Sequence, residues 1–147
     1  MDIGRQFKKK AVVFDLDGTL ADPNKRNEKM HKMRHEGLAK DLEDAPDIDK
    51  NVDKLNKARK KGDEVVIVTA RSASYRPETT EWLRENNIKA DKVFMRPVHD
   101  TTEADKDVKS SIINSKVLPK YKIKKAFDDK SKNVKMMKKY GIKAKKV

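Results

Sequence analysis

Two aspartates stand one residue apart where an apolar run ends, in Val12-Val13-Phe14-Asp15-Leu16-Asp17-Gly18-Thr19-Leu20. Residues i and i+2 of a strand share a face, so Asp15 and Asp17 can address one substrate if extended geometry continues that far. Gly18 lets the backbone turn sharply after them. No structural need puts two acids at the mouth of an apolar strand. Phosphoryl transfer has such a need: one carboxylate attacks phosphorus, the other moves protons, and a metal ion offsets their repulsion. Chance gives Asp-x-Asp-Gly-Thr on the order of 10⁻³ times in a chain of this size, so an accidental acidic turn is the weaker explanation.

The elements that must position such a pair are legible as short apolar strands alternating with amphipathic helices. Residues 11–14 form the first strand. Residues 23–41 are highly charged, with apolar Met30, Met33 and Leu38, and predict an exposed helix. After a break at Asp44-Ala45-Pro46-Asp47, Ile48, Val52, Leu55 and Ala58 recur at helical spacing. Lys60-Lys61-Gly62 stops that helix. Residues 64–69 hold Val65-Val66-Ile67-Val68, a second strand, and Pro77 opens a helix whose core contacts are Trp82 and Leu83. Strands at 92–95 and 124–127, helices marked by Val108, Ile112 and Ile113 and by Val134 and Met137, and an edge strand at 142–147 complete the pattern.

Continuous apolar strands separated by helices predict an α/β fold, with a parallel sheet of about five strands covered on both faces. Ligands bind such sheets beyond the carboxyl ends of the strands. The chemistry-bearing residues fall there. Asp15 and Asp17 follow the first strand, Thr69-Ala70-Arg71 the second, Arg96 the third and Asp128-Asp129 the fourth; Lys109 lies near the start of the intervening helix. Asp15 is the expected nucleophile, forming an aspartyl-phosphate. Asp17 is the expected acid and then base. Asp128 and Asp129, with Asp15 and Asp17, are expected to hold Mg²⁺, which prefers few carboxylates and several waters. Thr69 is expected to bond a phosphate oxygen. Lys109 is expected to neutralise the transferring group and the crowded acids. Gly18, Thr19, Ala70, Arg71 and Arg96 join them as candidate substrate contacts.

Composition narrows the partners. The chain has 147 residues, suited to one domain. Without cysteine it has no thiolate metal site. No apolar run approaches membrane-spanning length, and a cytoplasmic protein is expected. Net charge is +13 and lopsided: residues 116–147 hold 13 lysines against Asp128 and Asp129, while residues 1–115 hold 24 basic and 22 acidic residues. A basic chain favours polyanionic partners. Lysine outnumbers arginine 29 to 8, as an AT-rich genome also produces, and aromatic residues are only 5%, so stacking platforms are scarce. Lys130 and Lys132 are candidates to face a nucleic-acid backbone, whereas Lys135, Lys138 and Lys139 read as a solvated helix face.

Phe14-Asp15-Leu16-Asp17-Gly18-Thr19, Val68-Thr69, Lys109 and Asp128-Asp129 resemble the four ordered motifs of the haloacid dehalogenase (HAD) superfamily, across nearly the whole chain. The resemblance implies a HAD-like Rossmannoid fold, and the second aspartate implies a phosphatase. Ile67-Val68-Thr69-Ala70-Arg71, Phe94-Met95-Arg96, Asp105-Lys106-Asp107-Val108-Lys109 and Phe127-Asp128-Asp129 further resemble the 3′-phosphatase domain of phage polynucleotide kinase. That family implies functional roles for Arg26, Arg71 and Asp105, and removal of 3′-phosphates from DNA or RNA ends during repair. Its stretch before the lysine usually reads Asp-x-Arg-x-Asp-x-x-Val-Lys. Residues 100–109 are one residue longer and lack the arginine, so the loop facing substrate differs.

The expected organisation is one domain over residues 1–147, with a minimal helical cap insert at 22–46. A small cap leaves the site open to a polymer end. Nucleic-acid 3′ ends are therefore the expected substrates, with no membrane partner. A nucleotidase or small-ester phosphatase is the alternative within enzymes, and a non-catalytic nucleic-acid-binding module on a HAD scaffold is the alternative outside them.

Overall fold

The computed structural model describes residues 8–22 and 47–147. The helix expected at 23–41, most of the cap insert and Arg26 lie outside the described residues. The elements run β1 (Lys9–Phe14), α1 (Asp49–Lys60), β2 (Glu64–Ser72), a short 3₁₀ turn (Ala73–Tyr75), α2 (Arg76–Glu85), β3 (Lys92–Arg96), α3 (Asp105–Ile112), β4 (Tyr121–Asp128), α4 (Ser131–Lys139) and β5 (Ala144–Lys146). They form one sheet in the order β3-β2-β1-β4-β5, with every pairing parallel. The chain order reverses between β1 and β4, the switch point at which open parallel sheets bind ligands.

Strand periodicity divides the core in two. Val12, Phe14, Val65 and Ile67 point to one face, where Leu55 of α1 and Trp82 and Leu83 of α2 cover them. Ala11, Val13, Val66 and Val68 point to the other, beneath Val108 and Ile112 of α3 and Val134 and Met137 of α4. Branched side chains fit this pleated surface buried on both sides. Phe14 and Phe127 stack across β1 and β4 with centroids 5.2 Å apart.

Several elements outrun their apolar segments. β1 begins at Lys9 and β4 at Tyr121 because Lys9, Lys10 and Ala11 pair with Tyr121, Lys122 and Ile123 before the register shifts. Lys122, Lys124 and Lys125 therefore sit on β4. β2 continues to Ser72, which pairs with Arg96 beyond a second shift, so Thr69-Ala70-Arg71 belong to the strand. β5 is shorter than the 142–147 expected for it.

Beyond β1 the chain turns on itself: the amides of Thr19, Leu20 and Ala21 all donate to the Leu16 carbonyl. Ala21 then bridges Asp47, and the Ile48 amide donates to the Leu20 carbonyl at 2.8 Å. The two ends of the segment at 23–46 are thus fastened side by side. Among the described residues, no helix is long and apolar enough to cross a membrane.

Candidate active site

Strand geometry ends before the second acid. The Asp15 amide still donates to the Phe127 carbonyl at 3.0 Å, continuing the ladder between β1 and β4. Leu16 then starts the turn, so Asp15 and Asp17 diverge in environment rather than sharing a strand face. Asp15 is buried, while the Asp17 side chain is one-third exposed.

Lys109 reaches back from the second turn of α3 and donates to Asp15 Oδ1 at 2.6 Å and to Asp128 Oδ2 at 2.8 Å. All three side chains are nearly sealed from water. Burial pushes the Asp15 carboxyl well above its ordinary range; the Lys109 ammonium opposes that rise and Asp128 adds to it. Burial works against the charge on Lys109, but attraction to Asp15 and Asp128 outweighs it and holds its pKa above the usual value. The other Asp15 oxygen accepts from the Thr19 hydroxyl at 3.1 Å. Asp128 Oδ1 accepts from the Lys130 amide at 2.9 Å and from Asn133 Nδ2 at 3.2 Å.

Asp15, Asp128 and Asp129 each present a carboxylate oxygen within 4.8 Å of the others. Three hard oxygen donors that close, with a lysine across two of them, fit a small divalent cation such as Mg²⁺. The Asp17 carboxylate is not in that cluster. It pairs instead with Arg71 Nη2 at 3.1 Å. Gly18 touches the cluster through its backbone: with φ at +89°, a Cβ there would lie 2.1 Å from Asp129 Oδ2. Glycine is required twice at this position, by dihedral and by space.

Asp15, Asp17, Lys109 and Asp129 line a cleft of about 700 Å³, open among the described residues, that also takes in Thr69, Ala70, Arg71, Arg96 and Asp105. Thr69 Oγ1 accepts from the Arg71 amide at 3.1 Å, which leaves its own proton to donate. Arg96 spends its guanidinium on the protein. It bonds the Ala70 carbonyl at 2.8 Å, the Glu103 carbonyl at 2.7 Å and Asp105 Oδ1 at 2.8 Å. It thereby ties the end of β2 to the loop before α3, which makes it a clamp on the cleft wall as much as a surface for substrate. His99 is exposed.

Two buried asparagines were not anticipated. Asn51 Nδ2 donates to the Thr19 carbonyl at 2.8 Å and fixes the turn after β1; Asn133 holds Asp128. Both occupy slots of a helix's apolar stripe, Asn51 beside Val52 and Asn133 beside Val134. A polar residue in such a slot is the signal that locates them.

The arrangement is an acid cluster with an embedded ammonium at a sheet switch point, next to hydroxyl and guanidinium groups. A family model described as the polynucleotide kinase PNKP phosphatase domain matches residues 9–147. The chain belongs to this family. As a member of the PNKP phosphatase-domain family it is similar to a chain in the structure of the Pnkp1/Rnl/Hen1 RNA repair complex, at 25% identity and TM-score 0.83, over 95% of this chain and 42% of that one. A chain of another Pnkp1/Rnl/Hen1 complex structure matches at 22% identity and TM-score 0.80, over 96% and 46%. The present chain thus spans less than half the length of either. The class C acid phosphatase from Bacillus anthracis with tungstate bound shares the fold at 19% identity and TM-score 0.61, over 85% of this chain and 54% of that one.

Proposed function

We propose that this phosphatase domain is a Mg²⁺-dependent polynucleotide 3′-phosphatase, acting on the ends of RNA or DNA through an aspartyl-phosphate. The observation that carries the reading is the sharing of one buried ammonium, Lys109, between Asp15 and Asp128 at the β1/β4 switch point. A structural ion pair needs one acid per base. Two acids on one lysine, with Asp129 beside them, make a device that accepts more positive charge and a phosphoryl group.

In this reading an Asp15 oxygen attacks phosphorus and the bond from phosphorus to the 3′ oxygen breaks. Asp17 gives that oxygen its proton. Asp17 then takes a proton from water, whose oxygen attacks phosphorus, and the Asp15 carboxylate and inorganic phosphate are released. Thr69 donates to a phosphoryl oxygen, and Lys109 keeps Asp15 oriented. Mg²⁺ held by Asp15, Asp128 and Asp129 would offset negative charge on the phosphoryl oxygens. Arg71 holds Asp17 in the resting site and is within the cleft to meet substrate phosphate. Thr19 and Gly18 set Asp15 and Asp129 from behind, Ala70 lines the cleft, and Asp105 and Arg26 complete the proposed substrate contacts.

Among the described residues the cleft is open, which favours a polymer end over a small ester, and the likeness to a chain of an RNA repair complex supports RNA ends as the first substrates to try. The test is phosphate release from 3′-phosphorylated RNA and DNA, 5′-phosphorylated ends and free nucleotides, with Mg²⁺ and after chelation. The expected result is Mg²⁺-dependent release from 3′-phosphorylated ends. Turnover of mononucleotides equal to that of oligonucleotides would make the protein a nucleotidase. Binding of nucleic acid without release from any ester would make it a binding module.

A further inference from the structure

The cleft describes where a terminal phosphate would sit, not where the rest of a strand would lie. A second opening, of about 380 Å³, lies between α3 and α4. Lys106, Lys132, Lys135 and Lys139 line it, against Asp107 as the one acid. Lys106 Nζ stands 3.9 Å from Asp107 Oδ1, with both side chains about half exposed, so Asp107 offsets little of the charge.

The groove and the cleft draw on adjacent residues. Asp105 lines the cleft and the next residue, Lys106, lines the groove; Lys130 and Asn133 line the cleft, and Lys132 lines the groove. The two openings are thus lined by neighbouring residues at the N-terminal ends of α3 and α4. Lys132, Lys135 and Lys139 follow at helical spacing on one face of α4. Residues 132 and 139 are about 10 Å apart along a helix axis, enough to meet more than one phosphate of a strand that rises about 3.4 Å per nucleotide. Tyr140 stands at the far end, 37% exposed, its hydroxyl fixed to Ser110 Oγ at 2.7 Å. A ring so held offers a surface for a base.

We infer that the groove between α3 and α4 carries the phosphodiester backbone of the strand whose 3′-phosphate enters the Asp15 cleft. This rests on the polynucleotide reading above. Lys135 and Lys139 are then strand contacts rather than a solvated face. A comparably basic surface elsewhere supplies the control. Lys57, Arg59, Lys60 and Lys89 line an opening at the amino-terminal edge of the sheet, where α1 runs into β2, too far round the molecule to continue the cleft.

The experiment compares the wild type, a triple Lys132→Gln/Lys135→Gln/Lys139→Gln variant and a triple Lys57→Gln/Arg59→Gln/Lys60→Gln variant. Each is assayed on a 3′-phosphorylated decamer, a dinucleotide and a nucleoside 3′-monophosphate across a salt series. In the first variant the KM for the decamer rises by about 10- to 100-fold at 0.1 M salt, and the log–log salt slope shrinks by about 2. The mononucleotide shows no comparable loss, and the second variant behaves as wild type on the decamer. Length-dependent turnover that the first variant retains, or that both variants lose alike, overturns the strand path and leaves the polynucleotide reading standing. Length-independent turnover by the wild type sinks that reading and the path with it. Equal inhibition of decamer turnover by polyglutamate of matched charge, abolished by the first variant, reassigns the groove to an acidic protein partner and overturns the path.

Discussion

The two edges of the sheet handle charge in opposite ways. At the amino-terminal edge acids and bases pair one to one: Lys124 with Asp63 at 2.9 Å and Lys9 with Glu64 at 3.4 Å. The Asp91 carboxylate accepts from the Val65 amide at 2.8 Å. At the carboxyl-terminal edge Asp15, Asp128 and Asp129 crowd around one ammonium, and burial raises the Asp15 pKa. The first edge leaves each of these acids with its own partner at little cost. The second raises the energy of the folded chain and is tolerated because the sheet and the helices over it hold the groups in place. Acids that each have their own partner are architecture; three acids beside one shared ammonium are poised to take up a further cation.

Substitutions at matched positions test that contrast. The largest effect is expected at Asp15. Asp15→Asn removes the proposed nucleophile and is expected to lower phosphate release by about 10⁴-fold or more; retained Mg²⁺-dependent release would end the aspartyl-phosphate mechanism. Next comes Lys109→Met, which leaves two buried carboxylates without their shared partner. In chelator it is expected to lose about 3–5 kcal/mol of stability in urea unfolding, with partial recovery in Mg²⁺. The matched change Lys124→Met, on a side chain 37% exposed, is expected to cost within about 1 kcal/mol. Equal losses at the two edges would erase the distinction.

Two smaller effects sharpen it. Gly18 and Gly62 have nearly the same dihedral, φ +89° and +85°, but a Cβ on Gly62 meets nothing within 4 Å. Gly62→Ala therefore reads backbone strain alone, about 1 kcal/mol. Gly18→Ala adds the clash with Asp129 and is expected to cost about 1–3 kcal/mol in total, with weaker Mg²⁺ activation. The smallest effect has the opposite sign. Asp129→Asn relieves repulsion and is expected to raise metal-free thermal stability by about 1 kcal/mol while activity falls. A lower melting temperature would mean that Asp129 holds the turn together.

The fold was legible because both cores are built from strand runs and helical stripes that name themselves: Val65-Val66-Ile67-Val68, or Leu55 three residues before Ala58. The order of Asp15, Thr69, Lys109 and Asp128 along the chain matched the carboxyl edge for the same reason, since strand ends are set by where apolar runs stop. Boundaries were harder. Lys9, Lys10 and Lys122 gain strand geometry from pairing across β1 and β4, which local composition does not encode. The separation of Asp17 from the three-acid cluster, and its pairing with Arg71, depends on a turn closed by the Leu16 carbonyl. The partners that consume Arg96 and the asparagines that steady Thr19 and Asp128 are tertiary contacts, hinted at only by polar residues in apolar slots.

The fastening of Ala21 to Asp47, with the Ile48 amide on the Leu20 carbonyl, gives the rim of the domain a doorway whose posts stand whatever passes between them. The turn that carries Asp17 and Gly18 is thereby closed by backbone contacts of residues 20, 21, 47 and 48 themselves. A lineage that needed a new guest at the Asp15 threshold could change the porch and keep the hearth.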